Sequence, residues 1–137
     1  MIEFTIHSKP KPLKRHRSTR FGKMYDPSAK DKKKVELLIQ KDRPERIFNT
    51  GVRVKYIFTF KRPKSHYRSG KYKDILKEYA PYFHTITPDL DNVIKFYNDV
   101  IQMGFIKNDK LIYSIDAVKI YGKEPKVEIV IDNIITY

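Results

Sequence analysis

Cysteine is absent from the 137 residues, so the chain has neither disulfides nor a thiolate zinc site. Tryptophan is absent too, and the aromatic content rests on 10 Tyr and 8 Phe, which suits a mixed sheet and some base stacking. No apolar run approaches the roughly 18 residues of a membrane-spanning helix, so no membrane span is expected. The opening MIEFTIHSKP lacks the hydrophobic stretch of a secretory signal, and a cytoplasmic location is expected. Acidic side chains are scarce: 16 Asp and Glu face 29 Lys and Arg, leaving a net charge of +13. Such an imbalance predicts attraction to a polyanion: DNA, RNA or an anionic membrane surface.

The charge is unevenly placed. Residues 1–34 hold 11 basic and 3 acidic side chains, and residues 41–79 hold 12 and 4. Residues 80–137 reverse the balance, with 6 basic and 8 acidic. Carboxylates repel phosphate, so an acidic island in a basic chain needs another purpose. A divalent cation is the simplest one.

Length predicts one domain spanning 1–137. Residues 2–7 alternate as a strand, with Ile2, Phe4 and Ile6 on one face. The next stretch, through Ser28, holds three prolines, one glycine and many charges, and reads as a long loop. Loops of that length are more often functional than inert. Ser28 is placed to cap a helix over 29–41 that turns Val35, Leu38 and Ile39 inward. VRVKYIFTF, 52–60, is the clearest strand. Residues 61–71 form a second basic loop, and 72–80 predict a short helix stopped by Pro81. Thr87 then suits a helix cap, Pro88 its first position and Asp89 its positive end. Leu90, Val93, Ile94, Tyr97, Val100 and Ile101 recur at helical spacing, and Gly104 suits the termination. Residues 111–121 and 126–131 read as strands joined by a hairpin turn over 121–125. The expected fold class is α+β or mixed α/β, one mixed sheet packed with helices.

The chemistry concentrates in PDLDNVIKFYNDVIQMGFIKNDKLI. Asp91 and Lys95 share a helix face. On a regular helix Asp89 would diverge from Asp91 by about 200°, so the two converge only if Asp89 is pre-helical. Asp109 follows a glycine turn and is expected to return to the same place. Oxygen-only ligands suit magnesium or manganese rather than zinc. Such an ion activates a water and stabilises charge on phosphate, with Lys95 a second electrostatic partner. Asn92 could orient a ligand. Each residue also has an ordinary explanation: Asp89 as dipole partner, Asp91 with Lys95 as a surface pair, Asp109 as turn polarity.

Asp89-Leu90-Asp91-Asn92, Lys95, Gly104 and Asn108-Asp109 together resemble the RusA family of Holliday junction resolvases. That pattern is Asp-Leu-Asp-Asn, a lysine four residues past its second Asp, an apolar helix, a glycine, and an acidic pair before a strand. The match covers residues 84–115, and the Pro-rich basic opening resembles the family more loosely. The resemblance implies a small homodimer that uses Mg2+ or Mn2+ to nick four-way junctions symmetrically, leaving 5′-phosphate ends. It implies Asp89, Asp91 and Asp109 as metal-binding catalytic carboxylates and Lys95 as the catalytic lysine. It also implies a bacterial, phage or prophage source. Asn108 departs from the pattern, which has an acid there.

The basic loops suit a branched substrate. Lys11, Lys14, Arg15, Arg17 and Arg20 form one set of candidate phosphate contacts, and Arg62, Lys64, Arg68 and Lys71 a second. Phe21, Tyr25 and Tyr67 are candidates for stacking, and His16, His66 and His84 for approaching phosphate. The competing functions are a non-catalytic nucleic-acid-binding module, a flap or other branched-DNA nuclease, and a basic structural protein.

Overall fold

The computed structural model describes residues 1–15 and 17–133. Its centre is a four-stranded sheet in the order β1-β6-β4-β5: β1 Ile2–Ile6, β6 Lys126–Asp132, β4 Val52–Lys61 and β5 Ile112–Gly122. β6 runs antiparallel to both β1 and β4, while β4 and β5 are parallel. This is the mixed sheet with helices that the sequence predicts. Val52, Val54, Tyr56, Phe58 and Phe60 alternate along β4 and are all buried. They meet α1 (Ala29–Ile39) and α2 (Leu90–Ile101), which supply Val35, Ile39, Val93, Phe96, Tyr97, Val100 and Ile101 to the same core. Each fully buried side chain of this size contributes about 1.5–3 kcal/mol, before the ordering cost. Tyr56 keeps its hydroxyl satisfied inside that core by donating to Asn98 Oδ1 at 2.7 Å.

The expected hairpin between β5 and β6 does not form. β4 lies between them, hydrogen-bonded to both. A ten-residue strand with an apolar face needs a neighbour on each side, and the 121–125 turn wraps the end of β4 to provide both. Arg62 N–H donates to Gly122 O at 3.0 Å across that turn. A Cβ on Gly122 would lie 2.7 Å from Thr59 Cγ2, so glycine lets the two strands approach there.

Three local expectations also fail. Residues 72–80 make no helix. The arm folds back on itself, with Arg68 N–H donating to Ile75 O and Lys77 N–H to His66 O. The apolar side chains there stay exposed, Tyr79 at 89%, so a short helix would gain little burial. Leu38 is 56% exposed rather than inward, and buried Lys32 takes its share of the α1 interface. Ser28 does not cap α1 through its side chain. Its Oγ accepts from Lys14 N–H at 2.9 Å, anchoring the basic loop.

That loop is ordered by contacts the sequence conceals. It contains a small ribbon, β2 Arg17–Ser18 with β3 Met24–Tyr25. Lys11 N–H donates to Tyr97 Oη at 3.1 Å, and Leu13 N–H to Asn92 O at 2.9 Å. Lys32 bridges Asp26 at 2.6 Å and Asp99 at 2.9 Å, linking loop, α1 and α2. Burial alone would lower the Lys32 pKa, but the hydrogen bonds and charges of Asp26 and Asp99 outweigh it, so the pKa rises above 10.5. The resulting stability is present below pH 10.5 and is lost as pH climbs through the raised folded value. Lys32→Met is expected to cost about 2 kcal/mol in urea unfolding, because it removes the cation shared by two partly buried carboxylates. Unchanged unfolding would mean the bridge contributes nothing net.

Candidate functional site

α2 begins two residues later than Thr87 and Pro88 suggest. Asp89 is its N-cap, with an extended backbone at φ −65° and ψ 141°. Its side chain does not cap the helix, and only its main-chain O accepts, from Val93 N–H. The Thr87–Pro88 peptide is cis, and a tertiary contact holds the same segment. Lys119 on β5 donates from Nζ to Ile86 O at 2.7 Å and Pro88 O at 2.5 Å, which commits that segment to a non-helical path. Asp89 therefore stands before the helix and Asp91 in its first turn, both exposed. Lys95 lies one turn on, also exposed. Among the described residues none of the three makes an ion pair, so Asp91 and Lys95 are not an ordinary surface pair.

Asp109 opens a 3-10 turn, Asp109–Leu111, immediately before β5. Asn108 caps that turn by accepting from Lys110 N–H at 3.0 Å. A carboxylate oxygen would make the same bond, so Asn in place of an acid preserves the local backbone. Asp109 does not return to Asp89 within the chain. Asp89 neighbours Lys119, seven strand residues beyond Ile112, or about 23 Å at 3.3 Å per residue. α2 likewise carries Asp91 about 15 Å from the helix end that precedes Asp109. Among the described residues, no three His, Asp or Glu side chains group closely enough to hold one metal ion. The donors are the right kind for magnesium, but one chain does not gather them.

The surroundings of Asp89 are partly apolar. His84 is 6% exposed and stacks on Phe60 at 3.8 Å between centroids. Burial, followed by the nearby positive charge of Lys119, lowers the His84 pKa. A neutral buried imidazole destabilises the fold once the unfolded state begins to bind a proton. Stability is therefore expected to fall as pH drops through about 6.5, and His84→Phe should flatten that limb of a pH-dependent melting series. The Lys119 pKa is also lowered by burial, opposed by the charge of Asp89.

Beside this end of the sheet lies an open cavity of about 740 Å³ lined by Lys61, Arg62, Lys64, Arg68, Lys73 and Lys123 among others. Three of the predicted phosphate contacts, Arg62, Lys64 and Arg68, meet there. Lys71 instead sits over the Tyr72 ring at 5.2 Å. Sequence reading missed Lys61, Lys73 and Lys123, which the fold brings to the same wall. A smaller cavity shares Lys61 with this cleft, and His84 and Ile86 with the cavity that Asp89 lines. In the first loop Lys14, Arg15 and Arg20 are exposed, Lys11 pairs with Asp31 at 3.2 Å, and Arg17 lies in β2. His16 falls outside the described residues.

The sequence profile of endodeoxyribonuclease RusA matches residues 7–132. The chain belongs to the RusA family. A Bacillus subtilis (strain 168) relative bearing the name uncharacterized protein YqaN is 32% identical over 135 residues, covering 95% of this chain and 94% of the relative. Family membership makes a RusA-type nuclease activity the chemistry of this chain, and DNA its class of substrate. The Asp89–Lys95 segment and the basic loop tied to α2 through Leu13 and Asn92 both lie inside the matched region. Among the described residues no helix is long and apolar enough to cross a membrane.

Proposed function

We propose that this RusA-family chain is a Holliday junction resolvase, an endonuclease that acts as a homodimer and nicks two strands of a four-way junction symmetrically, leaving 5′-phosphate ends. The observation that carries this reading is a row of unpaired charges at the start of α2: Asp89, Asp91 and Lys95 are exposed and without ion-pair partners among the described residues. A basic loop is tied to the same helix, so phosphate binding and carboxylates move as one body. Phosphates would engage Lys14, Arg15 and Arg20 on one side, and Arg62, Lys64 and Arg68 on the other. Lys95 would offset negative charge on the phosphate under attack. The resident ion would be Mg2+, with Mn2+ an alternative, supplying an activated water and a counter-charge. A bacterial cytoplasm and a phage or prophage source fit this reading.

A second copy of the chain accounts for the separation of Asp109. Tyr82–His84 bonds to β5 near its C-terminal end, through His84 N–H to Lys119 O and Tyr121 N–H to Tyr82 O. The stretch from Ile112 to Ala117 has no outer strand among the described residues, and Tyr113 and Ile115 on it are exposed. Long open edges invite pairing. Antiparallel pairing of two such edges about a twofold axis would set the start of one β5 beside the C-terminal half of the other. Asp109 of each chain would then approach Asp89 and Asp91 of its partner.

Labelled four-way junction, flap and duplex DNA, each incubated with magnesium, manganese or chelator, test the function. Expected is metal-dependent paired nicking of the junction, with duplex untouched. Preferential flap cleavage would reassign the substrate, and binding without cleavage in either metal would remove the enzymatic reading.

A further inference from the structure

We infer that Lys119 is a positioning residue for Asp89: from the C-terminal half of β5 it holds the segment that aims this carboxylate. Along β5, Ile115, Ala117 and Lys119 lie opposite Val54, Tyr56 and Phe58 of β4, so Lys119 sits on the face that carries the core. A lysine there loses hydration, and its ammonium lies 6.0 Å from the buried Phe60 ring. That placement is stable only if the ammonium is engaged elsewhere. It is: two of its three protons go to Ile86 O and Pro88 O, at 2.7 and 2.5 Å. The main chain of the same residue accepts His84 N–H at 3.0 Å. Residue 119 thus grips the path into Asp89 at three points, at positions 84, 86 and 88. Among the described residues no other polar contact reaches Ile86 or Pro88 from the sheet.

The grip explains why Asp89 stays extended and outside the helix. Without it, the segment before Asp89 loses its side-chain bonds to the sheet. The direction of Asp89 relative to Asp91 would then no longer be fixed from β5. The third ammonium proton remains available on the Asp89 side, where His84, Thr85, Ile86, Thr87 and Asp89 line the same open cavity as Lys119.

The activity arm of the test rests on the nuclease reading, whereas the structural arm does not. Full-length wild type, Lys119→Met and Lys119→Arg are compared by backbone 13C chemical shifts across residues 84–91, by thermal midpoint, and by kcat and KM on a four-way junction. Lys119→Met is expected to move the carbonyl and Cα shifts of Ile86, Pro88 and Asp89 from their wild-type values while the rest of α2 keeps its own. Its kcat is expected to fall about 100-fold with KM within about threefold, since misplacing a reacting group by an ångström costs that much. Lys119→Arg, which keeps donors for both carbonyls, is expected to recover most of the lost kcat. Unchanged shifts at 86–89 in Lys119→Met overturn the inference. So does an activity loss that merely follows the folded fraction, or no recovery in a well-folded Lys119→Arg. If wild type itself cleaves nothing, the nuclease reading falls, and the chemical shifts still decide the role of Lys119.

Discussion

Asp91→Asn is expected to abolish junction nicking, by about 100-fold or more, while junction binding persists or tightens. The substitution keeps the shape of the side chain and removes one negative charge. That charge repels phosphate in the bound state, so its loss favours binding even as the chemistry stops. Asp109→Asn is expected to behave alike, although Asp109 lies at the opposite end of β5 from Asp89. Because the two aspartates are exposed and make no ion pair, neither change should alter the melting temperature. A mixture of the two variants separates a site within one chain from a site between two. In a mixed dimer with shared sites, one site carries both defects and the other carries none, so single-strand nicking returns. With self-contained sites the mixture stays inactive. Undiminished nicking by both single variants would remove these carboxylates from the mechanism altogether.

Gly104→Ala should destabilise the fold by about 2–4 kcal/mol, a drop of roughly 10 °C in Tm for a chain of this size. Two costs combine. Gly104 has φ 111°, a conformation that L side chains rarely adopt. A Cβ there would also approach Arg43 within 2.8 Å of Cδ and 2.9 Å of Cζ. Arg43 is not free to swing aside without loss, because its Nη2 donates to Glu36 Oε1 at 2.9 Å. The glycine closes α2 by letting Phe105 and Ile106 return their N–H groups to Ile101 O, at 3.1 and 3.0 Å. Both residues are then buried in the core, and the chain proceeds to Asp109. Thermal unfolding of Gly104→Ala beside wild type checks this, and equal midpoints would show that the turn relaxes freely.

Much of the candidate site was legible because its signals are local. The spacing of Val93, Tyr97, Val100 and Ile101 specifies which face of α2 is buried, which leaves Asp91 and Lys95 outside. The requirement that Asp89 precede the helix follows from helix geometry, and Asp89 is indeed the N-cap. The errors share one origin, which is a partner distant in sequence. Ser28 looks like a cap, but the N–H of Lys14 takes its hydroxyl. Residues 72–80 have helical composition and no surface to cover them. The 121–125 turn has hairpin residues, but β4 requires the space between β5 and β6.

Composition and periodicity thus suffice for a basic α/β nucleic-acid protein with an acidic island at the mouth of one helix. Charge sums and the two- and 3.6-residue periods are properties of neighbouring positions, and no folding is needed to express them. The order of strands, the burial of Lys32 between Asp26 and Asp99, and the hold of Lys119 on Ile86 and Pro88 belong to the folded chain alone. The location of Asp109 belongs there too: a strand extends about 3.3 Å per residue, so β5 carries its two ends far apart however close the motif keeps them in sequence.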